Sequence, residues 1–281
     1  MTLTTILAAA ALALGLARWR RLPSVPLLIV AGIVLDGLGL LPERETLTNI
    51  LLLGLAFVVF FVGSELDPRR VGGQARAAIG VGVAQFLLLG AIGFGVMRAA
   101  GFDWLTALYV ALAITASSTL VVVTVLRQRQ EFFEPFGRLV VGVVLVQDLL
   151  VVLLLPVLAR VAGGPMEMVE GVAGTLGLVA LAGVCVRWVS PWLLVRMKLD
   201  EESLLLAVLA ILFVFIGLAH WLALPEVTGA FLAGVALSGF PVRGLVRGQV
   251  TSLADFFLAV FFVALGGLVS FPGARQMVVE G

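Results

Sequence analysis

Leu139 to Ala159 reads LVVGVVLVQDLLVVLLLPVLA, an apolar run of 21 residues bounded by Arg138 and Arg160 and interrupted near its middle by Gln147-Asp148. A helix of that length crosses the roughly 30 Å hydrocarbon core of a bilayer. Asp148 is the tenth residue of the run and falls close to the midplane. Keeping a carboxylate charged there costs roughly 2.5–3.5 kcal/mol even on the most lenient insertion scale. Such an acid either faces a water-filled pathway or a partner charge, or only ties helices together by a hydrogen bond. The first reading is preferred, because intramembrane acids usually mark ion or proton pathways.

Outward from this run the chain is of one kind. Of its 281 residues 62% are hydrophobic and only 12% charged, with a mean hydropathy of +1.19. Soluble domains carry about 25% charged residues. Apolar runs recur from end to end, which indicates many membrane spans. The net charge of +1 gives no argument for nucleic acid, and no basic aromatic patch or zinc spacing occurs. The single cysteine, Cys185, lies in an apolar run and has no partner for an intrachain disulfide. Residues 1–17 lack a basic residue before their apolar stretch, and Arg18, Arg20 and Arg21 follow it. A secretory signal has the opposite order, so a retained first helix with its N-terminus outside is expected.

Ten spans are expected, at about 3–17, 25–41, 46–65, 75–98, 104–126, 138–160, 168–189, 201–222, 226–240 and 252–271. With the N-terminus outside, fourteen of the 18 basic residues fall on the cytoplasmic side. Arg44, Arg98, Arg160 and Arg275 fall outside. The positive-inside rule favours this orientation. Trp19, Trp104, Trp188, Trp192 and Trp221 lie near span ends, as interfacial aromatics do. The acids other than Asp148, among them Asp36, Glu65, Glu226 and Asp255, fall in loops or near span ends. His220 sits beside Trp221 at an outer span end, where an interfacial role is favoured over catalysis, and an enzyme is not expected.

Two pairs of spans resemble each other. LLIVAGIVLDGLG in span 2 aligns with TGAFLAGVALSG in span 9 on Ala31-Gly32 and Ala233-Gly234, an offset of 202. FFVGSEL at 60–66 aligns with FFVALGG at 261–267, an offset of 201. Span 2 would run outwards and span 9 inwards, so the repeat is inverted, an architecture of secondary transporters with midplane sites. The same offset predicts a second copy of spans 4–6 beyond residue 281, and a truncated transporter is therefore expected.

Span 5 carries Thr115-Ala116-Ser117-Ser118-Thr119 near its centre. Clustered hydroxyls offer local hydrogen bonds that compete with the helix ladder, which suits an unwound segment with carbonyls exposed to a cation. They also suit a stripe of small residues for close helix packing. No Gly or Pro decides between the two. Asp148, with Gln147 beside it, supplies one titratable group, for which a proton and a monovalent cation would compete. One carboxylate implies 1:1, electroneutral exchange. Pro156 is expected to kink span 6.

On these residues the chain resembles the monovalent cation:proton antiporter-2 family, in its Kef-like branch. The matching stretches are FFVGSELDPRR at 60–70, SST at 117–119, GRLVVGVVLVQDLLVV at 137–152, GAFLAG at 229–234 and FFVALGG at 261–267. The resemblance implies an all-α polytopic membrane protein of about ten helices, with the NhaA-like inverted-repeat fold less its last three helices. It implies an exchanger domain over 1–281, incomplete, with the first half of the ion-binding core at 75–160. The linker helix, dimerisation-side helices and start of the second repeat would occupy 168–281. By analogy Asp148 is the cation and proton ligand, with Gln147, Thr115, Ser117, Ser118 and Thr119 around it. Gln147 stands where electrogenic relatives have a second Asp. No cofactor is implied beyond the transported K+ or Na+ and H+. The implied setting is the bacterial inner membrane, with the bilayer, a second copy as homodimer and a cytosolic regulatory domain or subunit as partners. Two alternatives stand beside exchange. One is a channel or sodium-coupled organic-anion symporter of similar fold, the other a transport-incompetent fragment or subunit.

Overall fold

Apolar runs of this length fold as helices because a backbone in hydrocarbon must satisfy its own hydrogen bonds. The computed structural model describes residues 2–65, 72–131, 134–161, 164–189, 192, 200–238 and 244–269. Its helices are α1 (Thr2–Arg20), α2 (Ser24–Gly37), α3 (Arg44–Glu65), α4 (Ala75–Ala99), α5 (Trp104–Thr115), α6 (Thr119–Gln128), α7 (Pro135–Ala159), α8 (Pro165–Val184), α9 (Glu201–Trp221), α10 (Glu226–Ser238) and α11 (Gly244–Leu268). Among the described residues five helical stretches are long and apolar enough to cross a membrane, and four further apolar helices are shorter. The chain is an all-α, integral, multi-pass membrane protein. The helices fall where the apolar runs predict them, with two differences. The expected fifth span is two helices, α5 and α6, and α11 begins at Gly244, eight residues before the expected start. All five tryptophans are exposed, and those in helices lie at helix ends.

The described residues form two compact units. In the first, α1 and α2 pack with α11. Ile6, Ala10, Ala13 and Ala17 repeat at helical spacing down one buried face of α1. Small residues of this kind let helix backbones approach closely. α2 and α11 cross in close contact at glycines. A Cβ on Gly32 would overlap the Val263 carbonyl oxygen, and one on Gly266 would overlap that of Ile29. Phe57 of α3 stacks on Phe257 of α11, with ring centroids 3.9 Å apart.

In the second unit α4 packs on α5 and α7, α8 lies along α7, and α10 packs on both α7 and α8. Gly82 sits against the side chain of Val146 and the carbonyl of Val143, and a Cβ on Gly93 would lie 3.3 Å from the Cα of Ala111. A side chain at either position would push α4 off its neighbours. α10 is buried on almost every side, from Thr228 to Gly234 without a gap, as a helix apolar all round should be. Gly229 rests on the backbone of Phe215, and Gly63, at the end of α3, on that of Phe231.

Candidate functional site

The site is built from a broken helix and the helix beside it. α5 starts at a strong cap: Asp103 accepts the backbone N–H of Thr106 at 2.9 Å and its hydroxyl at 2.6 Å. It stops at Thr115, which is buried and donates its hydroxyl to the Leu112 carbonyl at 2.6 Å. That bond competes with the ladder one turn back, the local competition by which hydroxyl residues end helices. Ala116 is extended, at φ −70° and ψ 126°. Ser118 opens α6, with its carbonyl bonded to the Val122 N–H at 3.1 Å and its hydroxyl 3.4 Å from the Val121 N–H. Residues 116–118 are therefore non-helical. The carbonyl end of α5 and the N–H end of α6 meet there, with partial charges of opposite sign.

Both half-helices pack on α7. Asp148 is the fourteenth of the 25 residues of α7 and is half-buried. Gln147 is wholly buried, and neither its Oε1 nor its Nε2 has a hydrogen-bond partner among the described residues. A buried amide left in that state costs about 1–3 kcal/mol, so each such group calls for an explanation. α4 touches both parts of the site. Its Gly90 faces the Thr115 methyl, and its Gly82 faces Val146, the residue before Gln147.

The sequence-predicted residues are brought together unequally. Thr115 and Gln147 are both buried, on helices that pack on α4. Ser117 is half-buried in the break, and Ser118 is exposed and engaged as a cap. Thr119 is the first residue of α6, and its side chain lies outside the described residues. Pro156 lies within α7, buried, and leaves the Val152 carbonyl without its usual donor.

One residue was missed. Arg160, read from sequence only as an outer loop charge, follows α7 directly and binds the turn between α9 and α10. It donates to the carbonyls of Leu222 at 2.7 Å and Ala223 at 2.9 Å, and stands 3.5 Å from Glu170. Its one signal was rarity, as one of four basic residues on a side otherwise free of them. His220 lies at the exposed end of α9, its Nδ1 3.1 Å from Glu226, in keeping with a surface role. Cys185 is buried at the start of a π-helical turn that ends α8.

Comparison with known proteins agrees with this architecture. The model of the sodium/hydrogen exchanger transmembrane family matches residues 5–276. The chain is 31% identical to the iron transporter MagA of Paramagnetospirillum magneticum, over 96% of this chain and 64% of that protein. It is 30% identical to the glutathione-regulated potassium-efflux system protein KefC of an Enterobacter species, over 94% of this chain and 44% of that one. For KefC of Shigella flexneri the identity is 28%, with the same coverage. The chain thus spans between about half and two thirds of the length of these curated relatives, all of which are named as transport proteins. With a family match running almost from end to end, the chain belongs to the sodium/hydrogen exchanger family of membrane transporters.

Proposed function

We propose that this protein exchanges a monovalent cation, K+ or Na+, for H+, and that Asp148 is alternately protonated and cation-bound. The observation that carries the reading is the pairing of a helix break at 116–118 with an orphaned, wholly buried Gln147 on the helix packed beside it. A dehydrated alkali cation takes carbonyl and amide oxygens in place of water. The break offers the first and Gln147 Oε1 the second, with Asp148 next to it supplying one balancing charge. Because the carboxylate is single, the exchange is 1:1 and electroneutral. The relatives named for potassium efflux favour K+ as cargo. The N-terminus is placed outside by the charge bias, and a second copy is the expected partner.

The test is exchange in proteoliposomes, followed with a pH-sensitive dye after pulses of K+ or Na+. Wild-type protein should move protons against either ion, and Asp148→Asn should reduce the signal to that of empty vesicles. Undiminished exchange in Asp148→Asn would overturn the assignment of the acid. A membrane potential built up by cycling would overturn the stoichiometry.

A further inference from the structure

One side chain holds the end of the helix that carries Asp148. Arg160 lies twelve residues beyond that acid, about 18 Å along the helix axis. Its guanidinium reaches two successive carbonyls, Leu222 at 2.7 Å and Ala223 at 2.9 Å, with Glu170 of α8 alongside at 3.5 Å. The stem lies on Gly171, where a Cβ would come within 3.0 Å of Arg160 Cδ. The Arg160 side chain is only 15% exposed, while that of Glu170 is 60% exposed. The acceptor turn is itself unusual, since Ala223 holds a left-handed φ of 51°. A gap for the stem, two carbonyls for the fork and a carboxylate at the rim make a fitted socket. Arginine alone offers a rigid fork of five donors for such a site.

We propose that Arg160 is a positioning residue that works as a latch. It ties the outer end of α7 to the α9–α10 turn in one conformation and releases it in another, so that its engagement sets the balance between two positions of the helix bearing Asp148. The inference rests on the exchange reading, because a carrier with a central site must alternate the side to which that site opens. The magnitudes suit the role. A single hydrogen bond to a charged group is worth about a tenfold change in an equilibrium, and two carbonyl partners compound it. Conformers of a switching protein differ by energies of that order. Glu170 contributes little, because a 3.5 Å contact to a mostly exposed carboxylate is a weak pair.

The experiment uses the full chain in liposomes, with Cys185→Ala as background and spin labels at Ala159→Cys and Trp221→Cys. Both positions are exposed, and neither is in the socket. Distances between the labels are measured by electron paramagnetic resonance at low and high pH, with and without K+ or Na+. The expected result is two distances whose ratio responds to cation and pH. Arg160→Gln should move the ratio away from the shorter one by about tenfold or more, and Glu170→Gln by no more than about twofold. One distance under every condition in the labelled parent overturns the latch, even if Arg160→Gln fails to fold. A ratio that folded Arg160→Gln leaves unchanged overturns it too. Parallel dye assays separate this from the exchange reading: two distances that Arg160 controls, in protein that moves no protons, would keep the latch and sink the exchange.

Discussion

Gln147 carries one acceptor and two donors into a wholly buried position, and neither end finds a partner among the described residues. If the amide is kept for a cation, its removal should help the fold and harm the function. Gln147→Leu should therefore raise the melting temperature of the cation-free protein, since an unsatisfied buried amide costs about 1–3 kcal/mol. The further stabilisation that K+ or Na+ confers on wild type should vanish in the variant. Thermal melts with and without each ion measure both effects, and a drop in cation-free stability would mark the amide as structural. Gln147→Asp should add a second titratable group and make cycling build a membrane potential, read with a potential-sensitive dye. The acid at 148 was legible in sequence because charge in an apolar run is conspicuous. The isolation of Gln147 was not legible, since burial and partners depend on neighbours far along the chain. Arg160 shows the same limit: its charge could be counted, but its carbonyl partners lie 62 and 63 residues away.

Asp103 is a simpler case of residue-scale chemistry. The hydroxyl of Thr106 and then its backbone N–H hold the Asp103 carboxyl below its ordinary range. A carboxyl depressed by folding stabilises the folded state above its unfolded pKa, and that contribution is lost as pH falls through the folded value. Asp103→Ala should thus melt below wild type at neutral pH, with the two converging as pH falls below about 4. Melting curves across that range check the sign.

At the scale of elements, the positions of the helices were readable because apolar length alone sets them. The break between α5 and α6 was not, because Thr115 to Thr119 contains neither Gly nor Pro and serves a packing stripe equally well. Two hydroxyl bonds distinguish the cases: Thr115 turns back on Leu112, and Ser118 caps α6. Ser118→Ala should cost stability at the low end of the usual 0.5–2 kcal/mol for a lost cap, about 0.5 kcal/mol given the 3.4 Å contact. Ser118→Asn, which restores an acceptor, should recover it. Denaturation of the two variants in detergent decides. The late onset expected for α11 has a different origin. Residues 244–251 carry Arg247 and polar side chains, so hydropathy rejects them, yet the helix runs through them.

For the molecule as a whole, the glycine crossings matter most. Span 2 meets span 10 where Gly266 lies on Ile29, and span 3 meets span 9 where Gly63 lies on Phe231. Ile29 and Phe231 stand 202 residues apart, the offset of the Ala-Gly match in the sequence. The glycines agree less simply. The FFV alignment sets Gly63 against Ala264, whereas the contacts pair it with Gly266, two residues on. Gly266→Val should destabilise by at least the 1–3 kcal/mol typical of overpacking, because the obstacle is backbone. Gly15→Ala, with open space around it, should be neutral or mildly stabilising. A thermal melt of each variant distinguishes them.

The broken span also bears on how the protein is made. α5 has 12 residues and α6 has 10, about 18 Å and 15 Å of helix, so neither half reaches across a bilayer by itself. Residues 104–128 are therefore expected to be inserted as one continuous apolar segment. The break at 116–118 would then open when α4 and α7 pack beside it and shield its peptide groups. The expected order of biogenesis follows: a complete helix enters the membrane first, and its neighbours undo it afterwards.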